Sequence, residues 1–201
     1  TRSVGFGPLV EEDTVDGEGF TIHASPREKT AWVAARPFGD ERGAAAYVGA
    51  CIGRLERDRR QVEREPGPFR ERWHADFLAT QALIGGTVNL LAQQAPGLDA
   101  IRNRVGFELF AYLEADRPDL VSEFLEAHTV YEIAACHAVA DRRLSPAVLT
   151  YGDIACKERL LHSPAFLRRE FFPRLKRLGD AWHEHGMVCL FHSDGYLMEV
   201  M

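Results

Sequence analysis

The second half of this chain alternates short apolar runs with long amphipathic segments, and this pattern constrains its fold most strongly. The runs Ala147-Val-Leu-Thr-Tyr-Gly152 and Met187-Val-Cys-Leu-Phe191 have the length of buried strands. Between them, Ser163 and Pro164 are typical of a helix start, and Gly186 is typical of a helix end. A strand, a helix and a second strand in this order are typical of βα units, whose strands lie parallel in one sheet. The sequence therefore predicts an α/β fold with a parallel sheet.

Further elements are predicted on both sides of these runs. The expected strands are 21–23 and 30–33, and the expected helices are 44–64, 103–114, a long helix from Pro118, 164–172, and 173–185. The break before Pro173 is expected because proline lacks the amide hydrogen that a helix interior needs. The long helix is supported by apolar residues at steps of three or four, namely Leu120, Phe124, Ala127, Tyr131, Ala134 and Ala138.

Composition excludes several classes of protein. The chain has 201 residues, of which 46% are hydrophobic and 27% charged, with a net charge of −6. Its basic residues lie among acids, so a nucleic-acid or anionic-membrane surface is not expected. No apolar run approaches the ~20 residues of a membrane helix. The cysteines, at 51, 136, 156 and 189, are far apart without a C-x-x-C pair, which favours a reducing, cytoplasmic setting over a disulfide scaffold.

The candidate site residues follow the two predicted strands. Asp153 comes just after the first run, and His192 and Asp194 follow the second. Functional side chains of parallel α/β folds gather at the carboxyl ends of strands, so we expect these three around one cavity. An imidazole with two carboxylates suits acid–base chemistry or cation binding. The alternative for each aspartate is a helix cap, with Asp194 capping a helix that begins at Tyr196.

Other polar residues are weaker candidates. His183 and His185 are expected on the solvated side of a helix, and His128 and His137 are expected to serve packing or the surface. The cysteines show no metal-ligand spacing, and Cys189 is expected to be a small buried apolar residue. Dinucleotide, P-loop, serine-hydrolase and zinc-protease motifs are absent from the sequence.

Two segments of the sequence resemble the uroporphyrinogen decarboxylase superfamily. The first runs from Tyr151-Gly-Asp153 through Ser163-Pro-Ala-Phe166 and Phe172-Pro173 to Gly186-Met-Val-Cys-Leu-Phe-His-Ser-Asp-Gly195. It is similar to the family's pattern of a strand with a polar end, a Ser-Pro helix start and a strand that ends in Phe-His. The second segment, Val105-Gly-Phe-Glu-Leu109 with Arg117-Pro-Asp-Leu-Val121, resembles an upstream family motif. The resemblance covers residues 105–201, whereas residues 1–100 fit only loosely.

The resemblance implies a (β/α)₈ TIM barrel. Residues 1–72 would be an irregular early barrel or hairpin region, and 73–201 would supply βα units. The chain starts at Thr1 and stops at Met201, inside a predicted helical turn, so we expect a partial barrel that lacks both flanks. A complete barrel typically needs about 250 residues.

The resemblance also implies two possible chemistries. One is decarboxylation of a tetrapyrrole-type or related carboxylated substrate without metal or cofactor, which is the function expected here. The other is corrinoid-dependent methyl transfer to a thiol, with zinc held by a His-x-Cys pair and a later cysteine. His192 and Asp153 bring the chain nearer to the second branch, whereas Asp194 stands where that branch needs a thiolate. His192 and Asp194 are then the candidate ligands for zinc or another divalent ion.

A third alternative is a non-catalytic barrel that binds such a ligand. The expected partners are the small-molecule substrate, a second copy of the chain in a homodimer, and, in the methyltransferase case, a corrinoid protein. The homodimer is expected because twofold dimers are the commonest oligomers.

Overall fold

The computed structural model describes residues 10–87 and 89–200, and it confirms the predicted α/β class. Six strands form two sheets within the described residues, and helices pack on one of them. The chain termini on which the expected truncation was based, Thr1 and Met201, lie outside the described residues.

The first sheet is antiparallel and contains β1 (Glu12–Val15), β2 (Thr21–Ser25) and β3 (Thr30–Ala35) in that order. It confirms the two predicted early strands. Asp16 closes the β1–β2 turn, because its Oδ1 accepts hydrogen bonds from the Glu18 and Phe20 amides.

Five helices form most of the core. They are α1 (Glu41–Arg64), α2 (Pro66–Ile84), α3 (Leu98–Val105), α4 (Phe107–Asp116) and α5 (Pro118–Val139). α1 and α5 pack against each other most extensively, and the predicted apolar stripe of α5 is buried or half-buried. The segment predicted as one helix at 103–114 is two, because the chain turns at Gly106 with φ +88°.

The second sheet is parallel, as predicted, with β4 (Leu91–Gln94), β5 (Ala147–Tyr151) and β6 (Val188–His192) in that order. The sequence reading missed β4. Side chains alternate between the faces, and Leu91 and Val148 belong to the face that the helices bury. The opposite face carries Tyr151, Leu190 and His192, all exposed. Helices therefore cover one face, and the other is open.

The predicted break before Pro173 does not occur. A helical turn at Pro164–Phe166 (α6) continues through a π-helical turn at Leu167–Phe171 into α7 (Phe172–Glu184). The Phe172 amide donates to the carbonyl of Leu167, five residues back, and this wider turn accommodates the proline. α7 ends before Gly186, which has φ +69°, as predicted.

The structure differs from two further predictions, the barrel and the helix that begins at Tyr196. The parallel strands form an open three-stranded sheet, and the described residues contain no closed barrel. The helix predicted from Tyr196 is a turn over residues 198–200, so Asp194 caps no helix. None of the helices among the described residues is both long and apolar enough to span a bilayer.

Candidate functional site at the carboxyl ends of the strands

The three predicted site residues lie at one edge of the parallel sheet. Tyr151 pairs with His192 in the β5–β6 register, so Asp153 and Asp194 each follow their strand by two residues. Asp99 comes from the loop and helix after β4 and reaches the same edge. We name Asp99, Asp153, His192 and Asp194 the carboxyl-edge cluster.

Asp153 connects the loops that follow β5 and β6. Its Oδ1 accepts a 3.0 Å hydrogen bond from the Asp194 amide, and the neighbouring Ile154 amide donates to Ser193 Oγ at 3.2 Å. Asp153 therefore holds a loop in place, which differs from the helix cap considered for it above.

His192 and Asp194 form the accessible part of the cluster. The distance from His192 Nε2 to Asp194 Oδ1 is 3.5 Å, and their side chains are 54% and 80% exposed. A carboxylate at this distance can orient the imidazole while leaving its other nitrogen free for a ligand.

Asp99 and Arg102 of α3 support the cluster, and the sequence reading missed both. Asp99 Oδ2 accepts a 2.5 Å hydrogen bond from the Asp153 amide, and Asp99 Oδ1 is paired with Arg102. Arg102 Nη1 also donates to the Asp153 carbonyl at 2.9 Å. A sequence signal for them is Asp99, which follows shortly after the Pro96-Gly97 turn. This signal is informative only when the residues before the turn are recognised as the strand β4.

Burial affects both members of this ion pair. It raises the pKa of Asp99 despite the attraction of Arg102, and it lowers the pKa of Arg102 despite the attraction of Asp99. Arg102 Nη1 lies 3.1 Å from His162 Nε2, and the Phe107 ring lies 5.0 Å from the guanidinium carbon. Arg102 is thus enclosed by the protein, which assigns it to support of the cluster.

Two glycines allow the loops of the cluster to approach closely. Gly195 has φ +94°, and a Cβ there would lie 2.5 Å from the Cys156 carbonyl oxygen. At Gly152 a Cβ would lie 3.1 Å from the Ala95 side chain. Both positions therefore favour glycine, which has no Cβ.

Two cavities of the molecule lie away from the cluster. One of about 730 Å³ is lined by Arg36, Phe38 and Tyr112, between β3, α1 and α4. Another, of about 450 Å³, is lined by Tyr47, Arg54 and other residues of α1, α3 and α5. Neither is lined by Asp153, His192 or Asp194, because these residues follow an open sheet face.

The carboxyl-edge cluster does not have the geometry of a zinc site. Across the described ranges, three histidine, cysteine or carboxylate ligand atoms come within 4.8 Å of one another only at Cys136, His137 and His185. Asp153 directs one carboxylate oxygen at a backbone amide, which leaves His192 and Asp194 as the adjacent pair. Two donors without sulfur are a poor set for zinc that activates a thiol.

The remaining histidines and cysteines occupy varied positions. His183 is exposed, as predicted, whereas His185 is half-buried. The distance from His185 Nε2 to His137 Nδ1 is 2.9 Å. His128 is buried, as its expected packing role requires. Cys189 is half-buried, with Sγ 3.0 Å from Thr150 Oγ1.

Comparison with known proteins identifies no relative of this chain. No protein-family model matches it, and no curated protein or solved structure is significantly similar.

Proposed function

We propose that the chain belongs to an enzyme of the uroporphyrinogen decarboxylase type, a carboxy-lyase that acts on a tetrapyrrole-type or related carboxylated substrate. The observation that supports this most directly is the position of His192, 3.5 Å from Asp194, at the carboxyl end of a parallel strand. Ligands of parallel α/β proteins bind at this edge. The sequence resemblance over residues 105–201 supports the same assignment.

The proposed reaction needs an acid at the site. Loss of CO₂ from a substrate carboxylate leaves the bonding electron pair on carbon, and that carbon must then accept a proton. In this proposal His192 donates the proton and is reprotonated from solvent. Asp194 orients the imidazole and stabilises its protonated form, and Asp153 keeps Asp194 in position through its 3.0 Å hydrogen bond.

The proposal also includes the (β/α)₈ barrel. The open face of the parallel sheet carries apolar side chains such as Leu149 and Leu190, which suit a barrel interior, and Tyr151 and His192 lie at its carboxyl end. Parallel sheets are generally covered on both faces.

A corrinoid-dependent methyltransferase is the second candidate, because His192 lies where that branch has its first zinc ligand. The carboxylate of Asp194 and the separation of the ligand atoms make the cluster a poor fit to zinc. No step through zinc is therefore derived, and a corrinoid protein partner belongs to this second candidate alone. A non-catalytic, ligand-binding barrel is the third.

The test is to assay the full-length protein and its His192→Ala variant for uroporphyrinogen decarboxylation and for methyl transfer from methylcobalamin to a thiol. We expect decarboxylation, and a loss of order 10²-fold or more in His192→Ala with an unchanged melting temperature. The exposed His183, replaced by alanine, is the matched control and should retain activity.

Each other outcome contradicts the proposal. Methyl transfer without decarboxylation favours the second candidate, and tetrapyrrole binding without either activity favours the third. Full activity in His192→Ala removes this residue from the catalytic group. The homodimer remains a prediction, and sedimentation of the chain at micromolar concentration will measure it.

A further inference from the structure

A second group of ligand-type side chains lies where the ends of two helices meet. Cys136 and His137 belong to the last turn of α5, and His185 directly follows α7. One ligand atom from each of these three residues lies within 4.8 Å of the other two. α5 and α7 also pack against each other, so the group lies at a contact between two helices.

The three residues differ in burial. Cys136 is fully buried, His185 is half-buried and His137 is exposed. The sulfur therefore lies on the inner side of the group and the imidazoles on the solvent side. A further ligand would therefore approach from the solvent side, where the exposed His137 lies.

The spacing of the two imidazole nitrogens is close to that of two ligands of a tetrahedral metal ion. Zinc bonds of about 2.0–2.1 Å to nitrogen and about 2.3 Å to sulfur place tetrahedral ligand atoms roughly 3.3–3.6 Å apart. His137 Nδ1 and His185 Nε2 are 2.9 Å apart, and their ring centroids are 5.2 Å apart. The two nitrogens would have to separate by only about 0.4 Å to reach the tetrahedral spacing.

The donor set selects the class of metal. Imidazole nitrogen with a cysteine sulfur suits zinc and disfavours calcium or magnesium, which prefer oxygen ligands. We propose that Cys136, His137 and His185 bind a zinc ion, with water at the fourth position.

The location of this site indicates a structural role. α5 leads into β5 and α7 leads into β6, so the site lies at the amino ends of the strands, opposite the carboxyl-edge cluster. Ligands of parallel α/β folds generally bind at the opposite, carboxyl edge of the sheet. Zinc there ties the end of α5 to the end of α7, and this role does not depend on the proposed catalytic function.

A plain hydrogen bond between the two imidazoles is the competing explanation of the 2.9 Å contact. It requires one neutral ring to donate and the other to accept, and it does not involve Cys136. Cysteine participation therefore distinguishes the two explanations.

The experiment uses the full chain without an affinity tag, stripped of metal by a chelator and kept reduced. Zinc is titrated by calorimetry and by thermal unfolding, and cobalt(II) is used as a spectroscopic probe. We expect one metal ion per chain, a higher melting temperature with zinc, and a thiolate-to-cobalt charge-transfer band.

Variants test each ligand. Cys136→Ala should abolish the charge-transfer band, and His185→Gln should weaken zinc binding by about 100-fold or more, since a lost ligand exceeds the 10–100-fold effect of an outer-shell change. Cys51→Ala, another buried cysteine, and His183→Ala, an exposed neighbour of His185, are matched controls that should bind normally. His185→Gln keeps the proposal testable if Cys136→Ala fails to fold.

The proposal is overturned if the chain binds no zinc, or if cobalt binds without a charge-transfer band. Equal zinc affinity in His185→Gln and the unaltered chain would also overturn it. The unaltered site in His192→Ala should bind zinc normally, so loss of the catalytic proposal and loss of this one are distinguishable.

Discussion

Glu132 and His128 form a largely buried pair on α5, and their ionisation should affect the free energy of unfolding. His128 Nε2 lies 3.9 Å from Glu132 Oε1, and Gln93 Nε2 donates to Glu132 Oε2 at 2.8 Å. Burial raises the pKa of Glu132 to about 7 and lowers the pKa of His128 to about 4. Both side chains are therefore neutral between these pH values in the folded protein.

The two residues have opposite effects on the pH dependence of stability. From pH 4.5 to 6.5 the folded pair holds one proton, on Glu132, and the unfolded pair also holds one, on His128. The change of stability with pH is proportional to the difference in bound protons between the unfolded and folded states. The pair therefore contributes almost no pH dependence in this range.

Replacing one residue of the pair should reveal the pH dependence of stability that the other residue contributes. In Glu132→Gln, the free energy of unfolding should fall by about 3 kcal/mol as the pH is lowered from 6.5 to 4, because only unfolded His128 takes up a proton there. In His128→Gln it should instead fall by about 3 kcal/mol as the pH is raised from 4.5 to 7, because unfolded Glu132 loses its proton first. Urea unfolding across this range measures both, and parallel curves for the two variants would disprove the assignment.

Arg102 and Asp99 should depend on each other for stability. Their side chains are 4% and 13% exposed, so Arg102→Met leaves Asp99 as an unpaired carboxylate in a mostly buried site. We expect this variant to lose about 3 kcal/mol or more, and Asp99→Asn in the same chain to recover part of the loss. The exposed pair Arg177–Glu126 is the control, and Arg177→Met should cost less than about 1 kcal/mol. A double-mutant cycle measures the coupling, and additive effects would show that the pair is not coupled.

At the scale of elements, the loop after β6 depends on Gly195. Gly195 has φ +94°, a backbone conformation that alanine disfavours. In Gly195→Ala the Cβ would also lie 2.5 Å from the Cys156 carbonyl oxygen, so the loop must move. We expect a loss of about 1–3 kcal/mol in unfolding free energy and a displaced Asp194. Thermal unfolding and the activity assay measure these effects.

The matched control is Gly179→Ala in α7. A Cβ at this position meets no atom within 4 Å, and α7 is helical there. Alanine should stabilise the helix by about 1 kcal/mol. If both glycine variants had the same sign of effect, the close approach at Gly195 would not determine the loop.

At the scale of the whole molecule, the open face of the parallel sheet should bind an apolar probe. Val188 and Leu190 are 57% and 45% exposed on this face, next to Leu149. We expect the folded chain to enhance the fluorescence of anilinonaphthalene sulfonate at neutral pH, and Leu190→Thr, which keeps strand propensity, to reduce it. Leu83→Thr on α2 is the control for an exposed leucine outside the sheet. Near-ultraviolet circular dichroism should stay unchanged, because its loss would indicate a molten globule instead.

Local patterns in the sequence were sufficient to predict most helices and two of the three parallel strands. The apolar stripe of α5, the Ser163-Pro164 helix start and the glycine at 186 each depend on neighbours within a few residues, so the sequence contains the whole signal. The same is true of the positions of Asp153 and His192 directly after or at the end of strands.

Features that depend on distant parts of the chain required the tertiary structure. β4 has only four residues, and its pairing with β5 across more than fifty positions identifies it as a strand. The sequence predicted a break in the helix before Pro173, whereas in the structure a π-helical turn accommodates the proline and the helix continues. Arg102 was not predicted as part of the cluster, because one of its partners, the Asp153 carbonyl, lies 51 positions away in the sequence.

By itself, therefore, the sequence determined the α/β class, the parallel arrangement of the strands in the second sheet, and three candidate residues at the carboxyl edge of that sheet. Only the tertiary structure decided that Asp153 positions the Asp194 loop, that one sheet face is open, and that Cys136, His137 and His185 meet. The physical reason is range: helix and strand propensities act between near neighbours, whereas contacts between α5 and α7 arise only when the chain is packed.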